Sequence, residues 1–306
     1  MDIHQFTEHF AIPRVLSFHE TPAGLIYAAI TTPHANATVY VQGAHVAHWQ
    51  PAGFAPVIFV SRKSEMAPGK PIRGGVPIAF PWFANRHDGK TGPSHGFARI
   101  QPWTLAFAAL AGDDLHLTFT LGPTEMSREL GFDGFRLAYQ VTVGRTLALQ
   151  LTVTNDAKTP LVFEEALHTY YAVADSHEIM IDGLDGVTYL DKTDGFKAKV
   201  QHGAVTITGP TDRVYENTTA ACVLHDTAGK RRMTVAKTGS HTTVVWNPGE
   251  AGAAKLPDME AGEWRNFVAC ETANAAANTI TLAPGASHAM RLHVSVEDAK
   301  EQSTKS

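Results

Sequence analysis

The amino-acid sequence predicts an all-β protein, a large antiparallel β-sandwich with a few short helices. Three observations predict it. Apolar residues recur at period two in many short segments, helical periodicity is confined to short stretches, and Pro and Gly punctuate the whole length without one dominant linker. The chain has 306 residues, 44% of them hydrophobic and 18% charged, with a formal net charge of -5. That composition is globular rather than disordered. With no internal repeat or composition shift, one domain over 1–306 is expected. A core of this size requires no disulfide or metal staple.

Taken in chain order, residues 2–10 suit a short helix, and residues 37–49 (ATVYVQGAHVAHW) alternate as a strand with one glycine. Residues 54–100 are the longest stretch without clean periodicity, a common property of functional loops. Residues 115–121 (LHLTFTL) alternate cleanly. Residues 124–130 (TEMSREL) carry an N-cap threonine and an apolar stripe at Met126 and Leu130. Residues 135–155 read as strand, three-residue turn containing Gly144, strand. Residues 279–282 and 288–296 flank Pro284–Gly285–Ala286 and predict a second hairpin, and the polar residues 297–306 predict a frayed tail.

Several function classes are disfavoured. The mild acidity and the lack of a basic block argue against nucleic acid as a partner. Cys222 and Cys270 are isolated, which points to a reduced, cytoplasmic chain rather than a zinc knuckle or dithiol site. The segment MDIHQFTEHF lacks the regions of a signal peptide, and no apolar run approaches the ~18 residues of a membrane span. GxSxG, P-loop, HExxH and Rossmann glycine patterns are absent, and no metal or cofactor is expected.

Four segments could carry chemistry. In residues 71–99, Arg73 precedes Gly74 and Gly75, and Arg99 follows His95 and Gly96. Two arginines brought together would form a fork for phosphate or carboxylate. Residue types alone favour the plainer alternative, two surface arginines at turns. In residues 164–175 (EEALHTYYAVAD), alternation puts Glu164, Ala166, His168 and Tyr170 on one strand face. His168 could be a general acid or a hydrogen-bonded core histidine, and among 16 histidines the latter is the better bet. In residues 267–274 (FVACETAN), Glu271 interrupts an apolar run. A buried carboxyl there would have a raised pKa suited to a general base, while a strand passing into solvent is an equal alternative. Asp212, in TDRVY, could accept from sugar hydroxyls or cap the turn after Gly209–Pro210.

Taken together, the chain resembles the hexose-6-phosphate mutarotases, or glucose-6-phosphate 1-epimerases, of the aldose 1-epimerase superfamily. The resemblance rests on ordered phrases: IRGGVP from Ile72, FPWF from Phe80, HGFAR from His95, Trp103, ALHTY from Ala166, TDRVY from Thr211, VWNP from Val245 and CETAN from Cys270. It implies a galactose-mutarotase-like supersandwich and exchange of α and β anomers of a hexose 6-phosphate. It places His168 and Glu271 as the catalytic pair, Arg73 and Arg99 on the phosphate, Asp212 on sugar hydroxyls and His95 in the pocket. Ser94 stands where the family often has a substrate-binding glutamine, and residues 86–92 and 273–278 could alter the pocket rim. The partner implied is a small sugar phosphate, and a monomer is expected. A mutarotase of unphosphorylated aldoses and a non-catalytic sugar-phosphate sensor remain the competing readings.

Overall fold

The computed structural model describes residues 1–299, and its named sheets are antiparallel throughout. A four-stranded sheet comes first, with β1 (Leu16–Glu20), β2 (Ile26–Thr31), β3 (Ala35–Tyr40) and β4 (His45–Pro51) in that order. A nine-stranded sheet runs from β16 (Val205–Thr206) through β13 (Ile179–Asp182), β18 (Cys222–Asp226), β19 (Arg231–Thr238), β23 (Ser287–Asp298), β9 (Leu147–Asn155), β8 (Phe135–Val143) and β7 (Asp114–Leu121) to β6 (Thr104–Ala111). An eight-stranded sheet runs from β15 (Lys197–Val200) through β14 (Thr188–Asp191), β17 (Thr211–Tyr215), β20 (Thr242–Asn247), β21 (Phe267–Asn274) and β11 (Glu165–Leu167) to β5 (Ile78–Ala79); β12 (Tyr170–Ala172) also pairs with β21. A small sheet pairs β10 (Leu161–Phe163) with β22 (Ile280–Leu282). The α-helices are short: α1 (Ile3–Phe10), α2 (Glu125–Glu129) and α3 (Gly249–Ala253).

The period-two residues form the core. On β8 and β9, Leu137, Tyr139, Val141, Leu149, Leu151 and Val153 are fully buried, and their neighbours in sequence face outward. One apolar cluster joins these residues to Val245, Val268 and Cys270 on the back of the eight-stranded sheet. The two large sheets are therefore the layers of a sandwich. Each fully buried leucine or valine there contributes about 1.5–3 kcal/mol through removal from water. The helix caps are local. Asp2 accepts from the Gln5 amide at 2.9 Å and the Gln5 side chain returns the bond, while Thr124 accepts from the Ser127 amide at 3.1 Å.

Three expectations are corrected. Residues 37–49 are two strands, because the chain turns at Gly43 and Ala44 with φ of 72° and 45° and returns as β4. Residues 279–282 and 288–296 do not pair with one another: β22 joins β10, whereas β23 lies between β9 and β19, so the Pro–Gly turn carries the chain from one sheet to another. The polar tail does not begin at 297, because β23 continues through Asp298, held by Arg232 against Glu297; residues 300–306 lie outside the described residues.

Candidate active site

The site grows from the pleat of the eight-stranded sheet. Directly opposed residues of paired strands share a face. Glu271 lies opposite Val244, Ala269 opposite both Trp246 and Tyr170, and Asp212 opposite Trp246. All of them face away from the main core, whereas Cys270 and Val245 point into it. Two small apolar clusters cover much of the outer face. One contains Phe83, Ala166, Val214, Val244 and Ala273, and the other Phe59, Tyr170, Trp264 and Phe267.

His168 is delivered by a break in a strand. β11 ends at Leu167, opposite Thr272, and β12 resumes at Tyr170, opposite Ala269. The register is the same on both sides of the gap, so His168 meets Glu271. The freed His168 amide donates to the Pro77 carbonyl at 3.0 Å. His168 Nε2 lies 3.3 Å from Glu271 Oε1. The imidazole stacks on Tyr170 at 4.9 Å and meets the His95 ring edge-on at 5.2 Å.

Glu271 is only 2% exposed and His168 7%, which removes the solvent-exit alternative for Glu271. Burial pushes the Glu271 carboxyl well above its usual range, and the Asp212 charge adds to this. Burial and the nearby Arg99 and Arg73 charges pull His168 down to about 3. Both shifts run against the charged pair, disfavouring an ionised Glu271 beside a protonated His168.

The arginines converge beside this pair. Gly74 and Gly75 adopt φ of 110° and 71°, and a Cβ on either would strike the Phe59 carbonyl or the His45 ring. Arg73 Nε donates to Asp258 Oδ2 at 3.1 Å and Nη1 to the Tyr170 hydroxyl at 3.3 Å. Arg99 Nη2 donates to the Ser94 carbonyl at 2.8 Å. Burial and the like charge of Arg73 lower Arg99 to about 10, so it keeps its charge at neutral pH. Ser94 is exposed and offers the cluster its backbone carbonyl.

His95 adopts a left-handed φ of 61°, and its Nδ1 accepts from the Ala84 amide at 3.3 Å. Burial and the neighbouring cations hold its pKa well below the ordinary value, so the neutral ring carries its proton on Nε2. Asp212 caps no turn. It sits within β17 and pairs with Lys192 at 2.9 Å, while Thr211 closes the turn by donating to the Gly209 carbonyl at 3.0 Å. Glu164 serves elsewhere, accepting from the Phe83 and Ala276 amides at 2.9 and 2.8 Å.

The structure thus brings His168, Glu271, Arg73, Arg99, His95 and Asp212 into one cluster. Sequence reasoning gave no role to Asp258, Lys192 or Trp246, and placed Tyr170 only on a strand face. Four buried polar atoms here lack a protein partner: His168 Nδ1, Glu271 Oε2, Arg99 Nε and Asp258 Oδ1. Each such orphan costs about 1–3 kcal/mol, so their concentration marks a place built for a polar ligand. Among the described residues no group of three or more His, Cys, Asp and Glu could hold a metal ion.

The aldose 1-epimerase family profile matches residues 28–295. An Escherichia coli (strain K12) protein provisionally named glucose-6-phosphate 1-epimerase is 35% identical over 244 residues, 79% of this chain and 81% of that protein. A solved Salmonella typhimurium structure, provisionally described as a mutarotase, superposes with a TM-score of 0.87 at 30% identity, covering 94% of this chain and 96% of that one. A galactose mutarotase-like protein from Clostridium acetobutylicum, 11% identical, shares the fold with a TM-score of 0.71 over 92% of this chain and 98% of its own.

Proposed function

The chain belongs to the aldose 1-epimerase family, and from that premise we propose that it interconverts the α and β anomers of a hexose 6-phosphate, glucose 6-phosphate foremost, by acid–base opening and reclosure of the sugar ring. The observation that carries the reading is the His168–Glu271 pair at 3.3 Å, flanked by Arg73 and Arg99. The names of the similar proteins support the choice of sugar.

In this mechanism Glu271 takes the proton of the C1 hydroxyl while His168 gives one to the ring oxygen. The C1–ring oxygen bond breaks, the C1–C2 bond rotates, and the steps run backwards on the other face. The pair needs one proton in total, so no cofactor enters the balance. Arg73 and Arg99 hold the phosphate, and binding energy from that remote group orients the ring. Asp212 accepts from ring hydroxyls, and His95 offers its Nε2 proton to the sugar.

The phosphate has a second consequence. The Arg99 and Arg73 charges depress His168, and a bound dianion offsets them. Substrate binding thereby raises the proton affinity of His168, the acid of this mechanism. The reading treats the chain as one catalytic unit acting as a cytoplasmic monomer on a small metabolite. Among the described residues no helix is long and apolar enough to cross a membrane.

The test is anomer exchange measured by NMR magnetisation transfer on glucose 6-phosphate, with glucose as control. Acceleration for the phosphate alone is expected. Equal acceleration of both sugars would make the protein a general aldose mutarotase. Detectable binding with no acceleration of either would make it a sensor.

A further inference from the structure

The ladder between β14 and β17 ends with Asp191 opposite Arg213. At the next step the chain enters the turn Lys192–Asp194, and Lys192 meets Asp212 with 2.9 Å between Nζ and Oδ2. Each side chain is 22% exposed, so the pair is largely withdrawn from water. Lys192 also lies 5.7 Å from the centre of the Phe83 ring, and that ring is edge-on to His95. It borders a cavity of about 350 Å³ with Phe83, Glu164, Phe196 and Ala276, which His168, Glu271 and Asp212 do not line. Lys192 thus both contacts Asp212 and lines that cavity. Among the described residues it is the ion-pair partner of Asp212.

We propose that Lys192 is a positioning residue of the epimerisation site, acting through Asp212: it fixes the rotamer in which that carboxylate meets the sugar hydroxyls and screens the Asp212 charge from Glu271. The proposal rests on the function proposed above. The arrangement puts two carboxyls, Asp212 on β17 and Glu271 on β21, on one face with only β20 between them. Burial raises the Asp212 carboxyl, Lys192 opposes that rise, and Asp191 adds to it. Asp191 is itself held by Lys199 at 2.7 Å. The groups facing Glu271 are His168, Asp212, Lys192 and Arg99, and both cations favour its ionised form. Losing the ammonium leaves two neighbouring carboxyls with no cation between them, and like charges so placed resist ionising together.

The experiment compares wild type, Lys192→Met and Lys192→Arg by NMR anomer exchange on glucose 6-phosphate, across about pH 5 to 9. Lys192→Met should move the acid limb of kcat to higher pH, with about a tenfold loss at the acid end for each unit moved. The loss should shrink toward the alkaline end. Lys192→Arg should restore the profile, and inhibition by inorganic phosphate should be the same in all three proteins. An unchanged profile and KM in Lys192→Met would overturn the proposal. So would a loss uniform in pH that arginine does not rescue. Weaker phosphate inhibition in Lys192→Met would make Lys192 a third phosphate ligand and overturn the role through Asp212. A carboxyl-carbon NMR titration, which needs no turnover, should show Asp212 titrating at higher pH in Lys192→Met. Should wild type accelerate no sugar, the proposed function falls, and this titration still decides whether Lys192 holds Asp212.

Discussion

Cys270 and Glu271 are neighbours on β21, almost equally buried at 1% and 2% exposure, and they face opposite ways. Behind the strand, Cys270 joins the apolar cluster between the two large sheets. In front, Glu271 faces His168, with Asp212, Lys192 and Arg99 close enough to shift its titration. The same removal from water does different things on the two sides. Behind, it stabilises the fold in proportion to apolar area. In front, it disfavours charge and changes proton affinity. A mutation in front should lower activity without lowering stability, and one behind should lower stability without changing activity.

The largest expected effect is on the front. Glu271→Gln keeps the volume and the contact with His168 but removes the proposed base. Turnover of glucose 6-phosphate should fall by about 10²–10⁴-fold with binding retained. Single-turnover exchange and a binding titration would check both halves, and near-wild-type turnover would remove Glu271 from the chemistry. The mirror experiment is Leu149→Ala, on the core side of β9. It should destabilise by about 2–5 kcal/mol, with kcat per folded molecule unchanged. Calorimetry with an activity assay below the transition would break the comparison if both quantities fell together.

The next effect separates the clamp from the pair. Arg99→Ala should raise KM for glucose 6-phosphate by about 10–100-fold, the loss expected for a charged hydrogen bond of ~1.5–3 kcal/mol. Free glucose should not lose affinity. Paired kcat and KM values for the two sugars test this, and a loss for both sugars alike would assign Arg99 to general ring binding.

How much of this was legible in the sequence follows from how local each signal is. The β8–β9 hairpin, the Thr124 cap and the β21 strand are set by neighbours in the chain, and all three were readable. Glu271 stood out as a carboxyl in an apolar run, and His168 as a histidine among aromatic residues. Joining them required the resemblance, because the β11–β12 break that opposes them has no period of its own. The C-terminal turn misled for the opposite reason. Pro284–Gly285 marks a turn equally well whether the chain returns to the same sheet or passes to another. Asp258 left no mark at all: its partner Arg73 lies 185 residues away, and nothing in the segment around it distinguishes a clamp residue from a loop acid.

The smallest expected effect is the sharpest test of the front face, because it reads stability at the proposed base. Burial raises Glu271 in the folded protein above its unfolded value. A group raised in this way contributes stability below its unfolded pKa and loses it as pH rises through the folded pKa, since the folded state must then give up the proton or hold a buried charge. Glutamine never ionises, and its amide can still donate to neutral His168. Glu271→Gln should therefore match wild type in Tm near pH 4 to 5 and exceed it at pH 8, by roughly 2–4 °C for each kcal/mol of relief in a chain of this size. Protonation of His168 cannot imitate this trend. Its pKa is depressed to about 3, so its contribution is complete above its unfolded value and is lost as pH falls. A Tm difference that grew toward acid would assign the stability effect to His168, and one that grew toward alkali assigns it to the carboxyl proposed as the base.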